Sequence, residues 1–250
     1  MEDKTFLLID YTAKIKDTGE VMETTIEEEA KKAGIYKKDE KYEPLLVILG
    51  EKRVIEGLEE ALYNMKEGEE KEIEIPPEKA YGERDPRKIR VISIKEFRKA
   101  KVEPVPGKIV EINGVPAVVK SVSGGRVRVD FNHPLAGKTL IYKVKIVRKI
   151  DDPVGKVKYL VKRRIRRASP EKLEVNIGDS TVEIKIPSEA MLQDDIQIAK
   201  ITIAREIFDY IDGVERVVFK EEIVKPKPKE EKKEEAKETE EKEESTGRQA

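Results

Sequence analysis

The chain has 250 residues, of which 41% are charged, and a formal net charge of −1 at pH 7. This length favours two or three folded units, and a net charge so close to zero excludes a global field that would attract nucleic acid. The absence of cysteine excludes disulfides, thiol catalysis and cysteine-based zinc sites.

Composition also indicates the setting in which such a protein works. Charge enrichment with few Asn and Gln is the pattern of thermophilic proteins. No segment approaches the roughly 18 apolar residues of a membrane span, and Met1–Lys4 leads into a strand without the features of a signal peptide. We therefore expect a cytoplasmic protein.

The segment from residue 47 to 86 predicts a strand, a short helix and a second strand. An apolar run, Val47–Leu49, ends at Gly50. The helix follows from apolar residues at helical spacing, which are Ile55, Leu58, Leu62 and Met65. Lys71–Ile75 then alternates charged and apolar residues as a half-buried strand does, and Pro76-Pro77 ends it.

The next segment predicts a small β unit. Its strand candidates are Ile89–Ser93, Lys108–Ile112, Val115–Val122 and Arg126–Phe131. Asn113-Gly114 and Gly124-Gly125 are strong hairpin signals between them. The apolar residues Ile92, Phe97, Val102, Val105 and Val110 fit either the core of this small unit or a surface that binds other chains, and both alternatives stay open.

A boundary at Asp151–Pro153 precedes a compact C-terminal α+β unit. Leu173–Ile177 and Thr181–Ile186 predict two strands, and Val214–Phe219 predicts a last one. Between them an amphipathic helix is indicated by apolar residues every three or four positions, namely Leu192, Ile196, Ala199, Ile203, Ile207 and Tyr210. Residues 225–250 are charged and poor in apolar side chains, which predicts a disordered tail.

Several of these motifs resemble those of one family. VI-x-GLE-x-AL at 54–62 and AYG at 80–82 are similar to the pocket-floor helix and pocket-wall tyrosine of FKBP-type peptidyl-prolyl isomerases. NHPLAGK at 132–138 resembles the entry to the returning strand in SlyD-like members, and Phe6–Ile15 with residues 17–23 resembles the family's first hairpin. The whole chain is similar to the long archaeal members.

The resemblance implies an α+β fold in which an FKBP antiparallel sheet wraps on a short helix, with an inserted small β domain and a C-terminal α+β domain. The implied domains are the isomerase domain at 1–84 and 130–151, an insert-in-flap domain at 85–129, the C-terminal domain at 152–224 and the tail at 225–250. A further insertion at 24–43 predicts a short, glutamate-rich helix beside the pocket.

The resemblance also implies a site. The catalytic residues that it indicates are Tyr11, Glu23, Ile55, Tyr81 and Tyr142. The substrate-binding residues that it indicates are Met22, Leu45, Val54, Leu58 and Phe97. By the same resemblance, the Tyr81 hydroxyl and the Ile55 backbone N–H hold substrate carbonyls. Leu58 replaces a tryptophan, Glu23 an aspartate and Leu45 a common aromatic, so we expect activity to persist and macrolide inhibitors to bind weakly.

The chemistry implied is rotation about X-Pro bonds. An apolar, water-excluding pocket favours the twisted amide over the planar one without moving a proton, so no cofactor is expected. His133 is the only histidine; we expect it to shape the strand entry, and no histidine cluster can hold a metal. The expected partners are unfolded or nascent proline-containing chains and a second copy bound through the C-terminal domain.

A second class of function stays open beside the enzyme. The pocket would then be inert, and the protein would be a holdase or a translation-associated RNA-binding protein. A run of basic residues without acids supports it, namely Lys156, Lys158, Lys162, Arg163, Arg164, Arg166 and Arg167. The same run fits a solvated or acid-paired face, and the insert lacks the aromatic platform of specific RNA readers.

Overall fold

The structure, a computed structural model, describes residues 1–223 and 225. Apart from Lys225, the tail predicted at 225–250 lies outside the described residues. The strands are β1 (Phe6–Ile15), β2 (Val21–Thr24), β3 (Leu45–Ile48), β4 (Glu70–Ile75), β5 (Ile89–Ser93), β6 (Ile109–Ile112), β7 (Val115–Ser123), β8 (Arg126–Asp130), β9 (Leu140–Ile150), β10 (Val175–Gly178), β11 (Thr181–Ile186) and β12 (Arg216–Glu221). The α-helices are α1 (Glu27–Lys32), α2 (Glu56–Tyr63), α3 (Ile94–Lys99), α4 (Pro153–Arg164) and α5 (Ile196–Tyr210).

The first sheet is antiparallel and is built from both ends of the isomerase-like region. Its strand order is β2-β1-β9-β4, and β3 also pairs with β1. Alternate residues of β1 point to opposite faces. Leu7, Ile9 and Tyr11 are buried in a core with α2, whereas Phe6 and Leu8 are buried against the C-terminal unit. The predicted fold class, an antiparallel sheet wrapped on a short helix, is confirmed.

Helix α2 lies very close to this sheet. A Cβ at Gly57 would stand 2.5 Å from Cγ2 of Ile75 on β4. Since real Cβ atoms do not approach so closely, only glycine at this position permits the observed packing. The glycine of the VI-x-GLE motif therefore sets the distance between the helix and the sheet.

The inserted region forms its own four-stranded antiparallel sheet, in the order β5-β8-β7-β6. Asn113 and Gly114 have φ of 52° and 78°, and Gly124 and Gly125 have φ of 55° and 75°, as the two hairpin signals predicted. The short helix α3 was not predicted. It begins at Ser93, whose hydroxyl accepts a hydrogen bond from the Lys95 N–H.

The C-terminal unit combines α4 and α5 with a three-stranded sheet, in the order β10-β11-β12. β11 pairs antiparallel with β10 and parallel with β12. Three predictions here were wrong in detail. Leu173 precedes β10, β12 begins two residues after Val214, and Leu192 lies outside α5 with 88% of its surface exposed. Helix α5 begins only after Asp195, which has a left-handed φ of 60°.

The C-terminal unit and the first sheet share one hydrophobic core. Phe6, Leu8, Ile48 and Ile150 from the first sheet pack in a single cluster with buried residues of the C-terminal unit such as Val161, Ile184 and Ile203. The ring of Tyr210 meets that of Phe6 edge to face, with centroids 5.3 Å apart. No helix among residues 1–223 and 225 is long and apolar enough to cross a membrane.

Candidate active site

One apolar cluster collects most of the predicted site residues. Tyr11, Leu58 and Tyr142 are buried in it. Partly buried residues packed against it include Met22, Val54, Ile55 and Tyr81. The rings of Tyr11 and Tyr142 are stacked, with centroids 5.7 Å apart. Segments far apart in sequence therefore meet in one apolar cluster.

Strand pairing brings Glu23 to the same place. Ala13 on β1 pairs with Glu23 on one side and with Tyr142 on the other, and residues directly opposite one another share a face of the sheet. The pairing with β2 shifts between Ala13 and Lys14, which leaves Met22 as an extra residue in β2. Such a bulge redirects side chains, and it allows both Met22 and Glu23 to reach the site.

The electrostatics of the site keep its tyrosines protonated. Burial raises the pKa of Tyr11, of Tyr81 and of Tyr142, and the negative charge of Glu23 raises each of them further. A neutral phenol is both a hydrogen-bond donor and an acceptor. At physiological pH the site therefore offers tyrosine hydroxyls as donors and has no tyrosinate to act as a base.

Ile55 presents a free backbone donor at the start of α2. Its carbonyl accepts hydrogen bonds from the N–H groups of Leu58, at 3.0 Å, and Glu59, at 3.1 Å. Its own N–H precedes the helical ladder and bonds to no other residue in the described part of the chain. An N–H group of this kind, at a partly buried position beside the apolar cluster, is suited to hold a carbonyl of a bound peptide.

Two predicted residues are not members of this apolar cluster. Leu45 pairs with Ile9 at the start of β3, so it shares the pocket face of the sheet, but 38% of its surface is exposed and it lies at the rim. Phe97 is only 4% exposed and lies in the core of the insert with Val110 and Val119. The prediction that Phe97 binds substrate is corrected here, because its side chain is used to fold the insert.

His133 is a neighbour of the site that the sequence had not indicated. Its ring stacks on that of Tyr81, with centroids 4.2 Å apart and planes 3° from parallel. Its Nδ1 accepts a hydrogen bond from the Leu135 N–H at 3.2 Å. We had expected His133 only to shape the strand entry. In the structure it also fixes the orientation of the Tyr81 ring.

Comparisons with known proteins agree with this geometry. Residues 90–135 match the family described as "FKBP26, IF domain", and residues 153–224 match "FKBP26_C-terminal". A short-type peptidyl-prolyl cis-trans isomerase of Methanocaldococcus jannaschii is 43% identical over 141 residues, which cover 56% of this chain and 88% of that protein. The chain belongs to the FKBP-type peptidyl-prolyl cis-trans isomerases. The recognition made from the motifs is confirmed.

Bacterial relatives place the chain further within this FKBP family. The SlyD protein of Helicobacter pylori is 32% identical over 143 residues, covering 56% of this chain and 70% of that protein. A probable 16 kDa FKBP-type isomerase of Pseudomonas fluorescens is 34% identical over 109 residues, covering 42% of this chain and 71% of that protein. These matches support a SlyD-like FKBP with an additional C-terminal region.

The two chain segments that lead into the FKBP insert are tied together by polar contacts. Arg84 forms an ion pair with the buried carboxylate of Asp130. The Asn132 side chain accepts from the Asp85 N–H and donates to the Asp85 carbonyl, both at 2.9 Å. The Gly137 N–H donates to the Gly82 carbonyl at 2.8 Å. The two connecting segments are thus bonded to each other, so the insert is not attached through two independent linkers.

The basic run lies on and just after α4, and three of its members are paired with acids. Lys162 contacts Glu43 at 3.0 Å, Arg163 contacts Glu51 and Glu206, and Arg164 also contacts Glu206. The acid-paired interpretation of this part of the run is therefore confirmed. These cations serve the packing of the C-terminal unit against the isomerase region, which weakens the RNA-binding alternative.

Proposed function

We propose that this FKBP-type isomerase rotates X-Pro bonds in the apolar cluster that contains Tyr11, Tyr81 and Tyr142. The observation that supports this most is the convergence of these tyrosines with Leu58 and the free N–H of Ile55 in one apolar cluster. Rotation of the peptide bond has a barrier of about 20 kcal/mol, because the planar amide is stabilised by resonance. A twisted amide loses part of its dipole, so an apolar surface that excludes water binds it better than the planar form.

The roles of the site residues follow from their positions. We assign Leu58, Val54 and Met22 to the apolar contacts with the proline ring. We assign the Ile55 N–H and the Tyr81 hydroxyl to substrate carbonyls, because both are donors without a partner among the described residues. Tyr11 and Tyr142 form the stacked wall, and Glu23 disfavours ionisation of all three tyrosines. Leu45 contributes apolar surface at the rim. These groups thus catalyse isomerisation only by binding the twisted amide, without a proton transfer.

A protease-coupled isomerisation assay on the full chain tests this proposal. We expect proline-dependent turnover of a tetrapeptide that is lost when the pocket is filled by Val54→Trp together with Met22→Trp. The matched control is Leu192→Trp, which places the same ring on an exposed site of the C-terminal unit. Absence of turnover by the unmodified chain would refute the proposal.

We also propose that the insert binds unfolded chains and passes them to the pocket. Val91, Ile109 and Val115 are large apolar residues that stay exposed on the insert, and such residues are candidates for contacts with apolar segments of a client. They replace Phe97 and Val110, which the insert uses for its own core. The test is the refolding of a proline-limited protein by Ile109→Ser. We expect the client protein to refold more slowly with this variant than with the unmodified chain, at normal turnover of the tetrapeptide. Equal refolding rates with the two chains would contradict the proposal.

The proposed domains follow the same division of work. The isomerase domain comprises 1–84 and 130–151, the insert 85–129 and the C-terminal domain 152–224.

We further propose a homodimer through the C-terminal domain. On α5, Ile198, Ile201 and Phe208 are 64%, 56% and 47% exposed, and their spacing of three and seven residues places them on one face. Two-fold pairing is the commonest way to cover such a face.

Light scattering decides the dimer proposal. We expect a dimer for the full chain and a monomer for Ile201→Glu. Ile109→Glu, at a position on the insert that is 66% exposed, is the control and should leave the dimer intact. A monomeric full chain would refute the proposal.

The expected cytoplasmic location stays a prediction.

A further inference from the structure

The loop that leads to Ile55 is held by the C-terminal domain. Glu51 lies in this loop, four residues before Ile55. The Arg163 guanidinium donates to both oxygens of the Glu51 carboxylate, at 2.7 and 3.2 Å. The Tyr210 hydroxyl donates to the same carboxylate at 2.7 Å. A carboxylate with three such bonds from two helices of another domain has little freedom to move.

The contacts of Glu51 belong to a larger buried network. Arg163 also contacts Glu206 at 2.9 Å, and Arg164 contacts Glu206 from α4. The side chains of Glu51, Arg163 and Glu206 are only 15%, 11% and 12% exposed. Removal of one member of a buried ion pair leaves an uncompensated charge. The two carboxylates and two guanidinium groups therefore depend on one another for their positions.

The same loop is held from the inside by helix α2. Oε1 of the buried Glu59 accepts hydrogen bonds from the Gly50 N–H at 2.9 Å and from the Lys52 N–H at 3.3 Å. Lys52 has a left-handed φ of 54°, which a residue with a side chain keeps only where its surroundings impose it. Glu59 fixes the loop to α2, and Arg163 with Tyr210 fixes it to the C-terminal domain.

We propose that Glu51, Arg163 and Tyr210 are positioning residues for the isomerase reaction, through which the C-terminal domain sets the place of the Ile55 N–H. This inference rests on the proposed function, since it assigns that N–H to a substrate carbonyl. A carbonyl bound equally in the planar and twisted states contributes to KM and little to kcat. Displacement of the loop is therefore expected to raise KM.

Two variants of the full chain test the inference. Tyr210→Phe removes the bond to Glu51 and keeps the ring against Phe6, and Glu51→Gln removes the charge that faces Arg163. We expect each to raise KM for a proline tetrapeptide between about twofold and tenfold, the range of one net hydrogen bond, at an unchanged kcat. Hydrogen exchange at the Gly50 and Lys52 amides, which donate to Glu59, should be faster in both.

A matched control separates positioning from general loss of stability. Lys200, itself buried, forms an ion pair with the partly exposed Glu221 in the same C-terminal domain, at 2.5 Å, and this pair is not part of the network around Glu51. Lys200→Met is expected to leave KM and the exchange of the Gly50 and Lys52 amides unchanged. A loss of folded molecules would lower kcat at a constant KM, which distinguishes it from the expected effect.

The outcomes are distinct for the two proposals. An unchanged KM in both Tyr210→Phe and Glu51→Gln, or an equal rise in Lys200→Met, would overturn the positioning role. A full chain without isomerase activity would overturn the proposed function. In that case the exchange rates of the Gly50 and Lys52 amides in the variants would still show whether the C-terminal domain holds the loop, and unchanged rates would refute that claim as well.

Discussion

The hydroxyl of Tyr81 can be removed without disturbing the free protein. Tyr81→Phe keeps the ring that stacks on His133 at 4.2 Å, and no hydrogen bond from a described residue contributes to the raised pKa of the hydroxyl that is lost. The effect should therefore arise only in the substrate complex. One net hydrogen bond contributes about 0.5–1.5 kcal/mol, which corresponds to a loss of about twofold to twelvefold in kcat/KM.

The assay is protease-coupled turnover of a proline tetrapeptide, with thermal unfolding measured beside it. Tyr159→Phe on α4 is the control, because it makes the same change far from the pocket, and it should keep full activity. Since burial and Glu23 raise the pKa of Tyr81, its hydroxyl stays neutral and the rate should be flat from about pH 6 to 8. An unchanged kcat/KM in Tyr81→Phe would refute the assignment of this hydroxyl to substrate. A bell-shaped pH profile would refute catalysis without proton transfer.

Three further predictions follow from the same structure. Tyr142→Ala should reduce kcat/KM more than Tyr81→Phe and lower the free energy of unfolding by about 3–5 kcal/mol in denaturant titrations, because it empties a buried aromatic site; a smaller effect on both would contradict the pocket wall assigned to it. Replacement of residues 90–129 by two glycines, with the Arg84–Asp130 pair retained, should preserve tetrapeptide turnover and abolish the refolding of a proline-limited protein; equal loss of both would show that the insert is part of the pocket. Burial raises the pKa of Tyr11 and of Tyr142 in the folded protein, whereas tyrosines of the unfolded chain ionise near pH 10. The free energy of unfolding should therefore be constant up to about pH 9 and fall above about pH 10. Stability that persists to pH 11 would contradict this.

The fold was most predictable where local chemistry determines it. The hairpins of the insert were located correctly because Asn113-Gly114 and Gly124-Gly125 adopt the positive φ that their turns require. Helix α4 was missed, although Asp152 and Pro153 form an N-cap and first position of the expected kind. Its apolar residues Val157, Leu160 and Val161 stand in a run rich in lysine and arginine, so the charge pattern obscures the helical periodicity.

The site was predictable to the extent that a motif fixes a position within it. Tyr81 and Ile55 could be assigned to the candidate site because their neighbours along the chain identify them, and both pack against the apolar cluster. The contact of His133 with Tyr81 joins residues on opposite sides of the insert, and no local pattern encodes such a distance. Phe97 was misassigned because an apolar residue in a small β unit has the same appearance in sequence whether it faces the core or a ligand.

The shared core also determines which experiments on the C-terminal domain can be interpreted. A chain that ends at Asp152 would expose Phe6, Leu8, Ile48 and Ile150, which are almost fully buried in the complete protein. An apolar face of this kind promotes association or misfolding. Loss of activity or a changed oligomeric state in such a truncation would therefore report the exposed sheet and not the missing domain. Point variants such as Tyr210→Phe and Ile201→Glu leave that core covered, so their effects can be assigned to the loop and to the α5 face respectively.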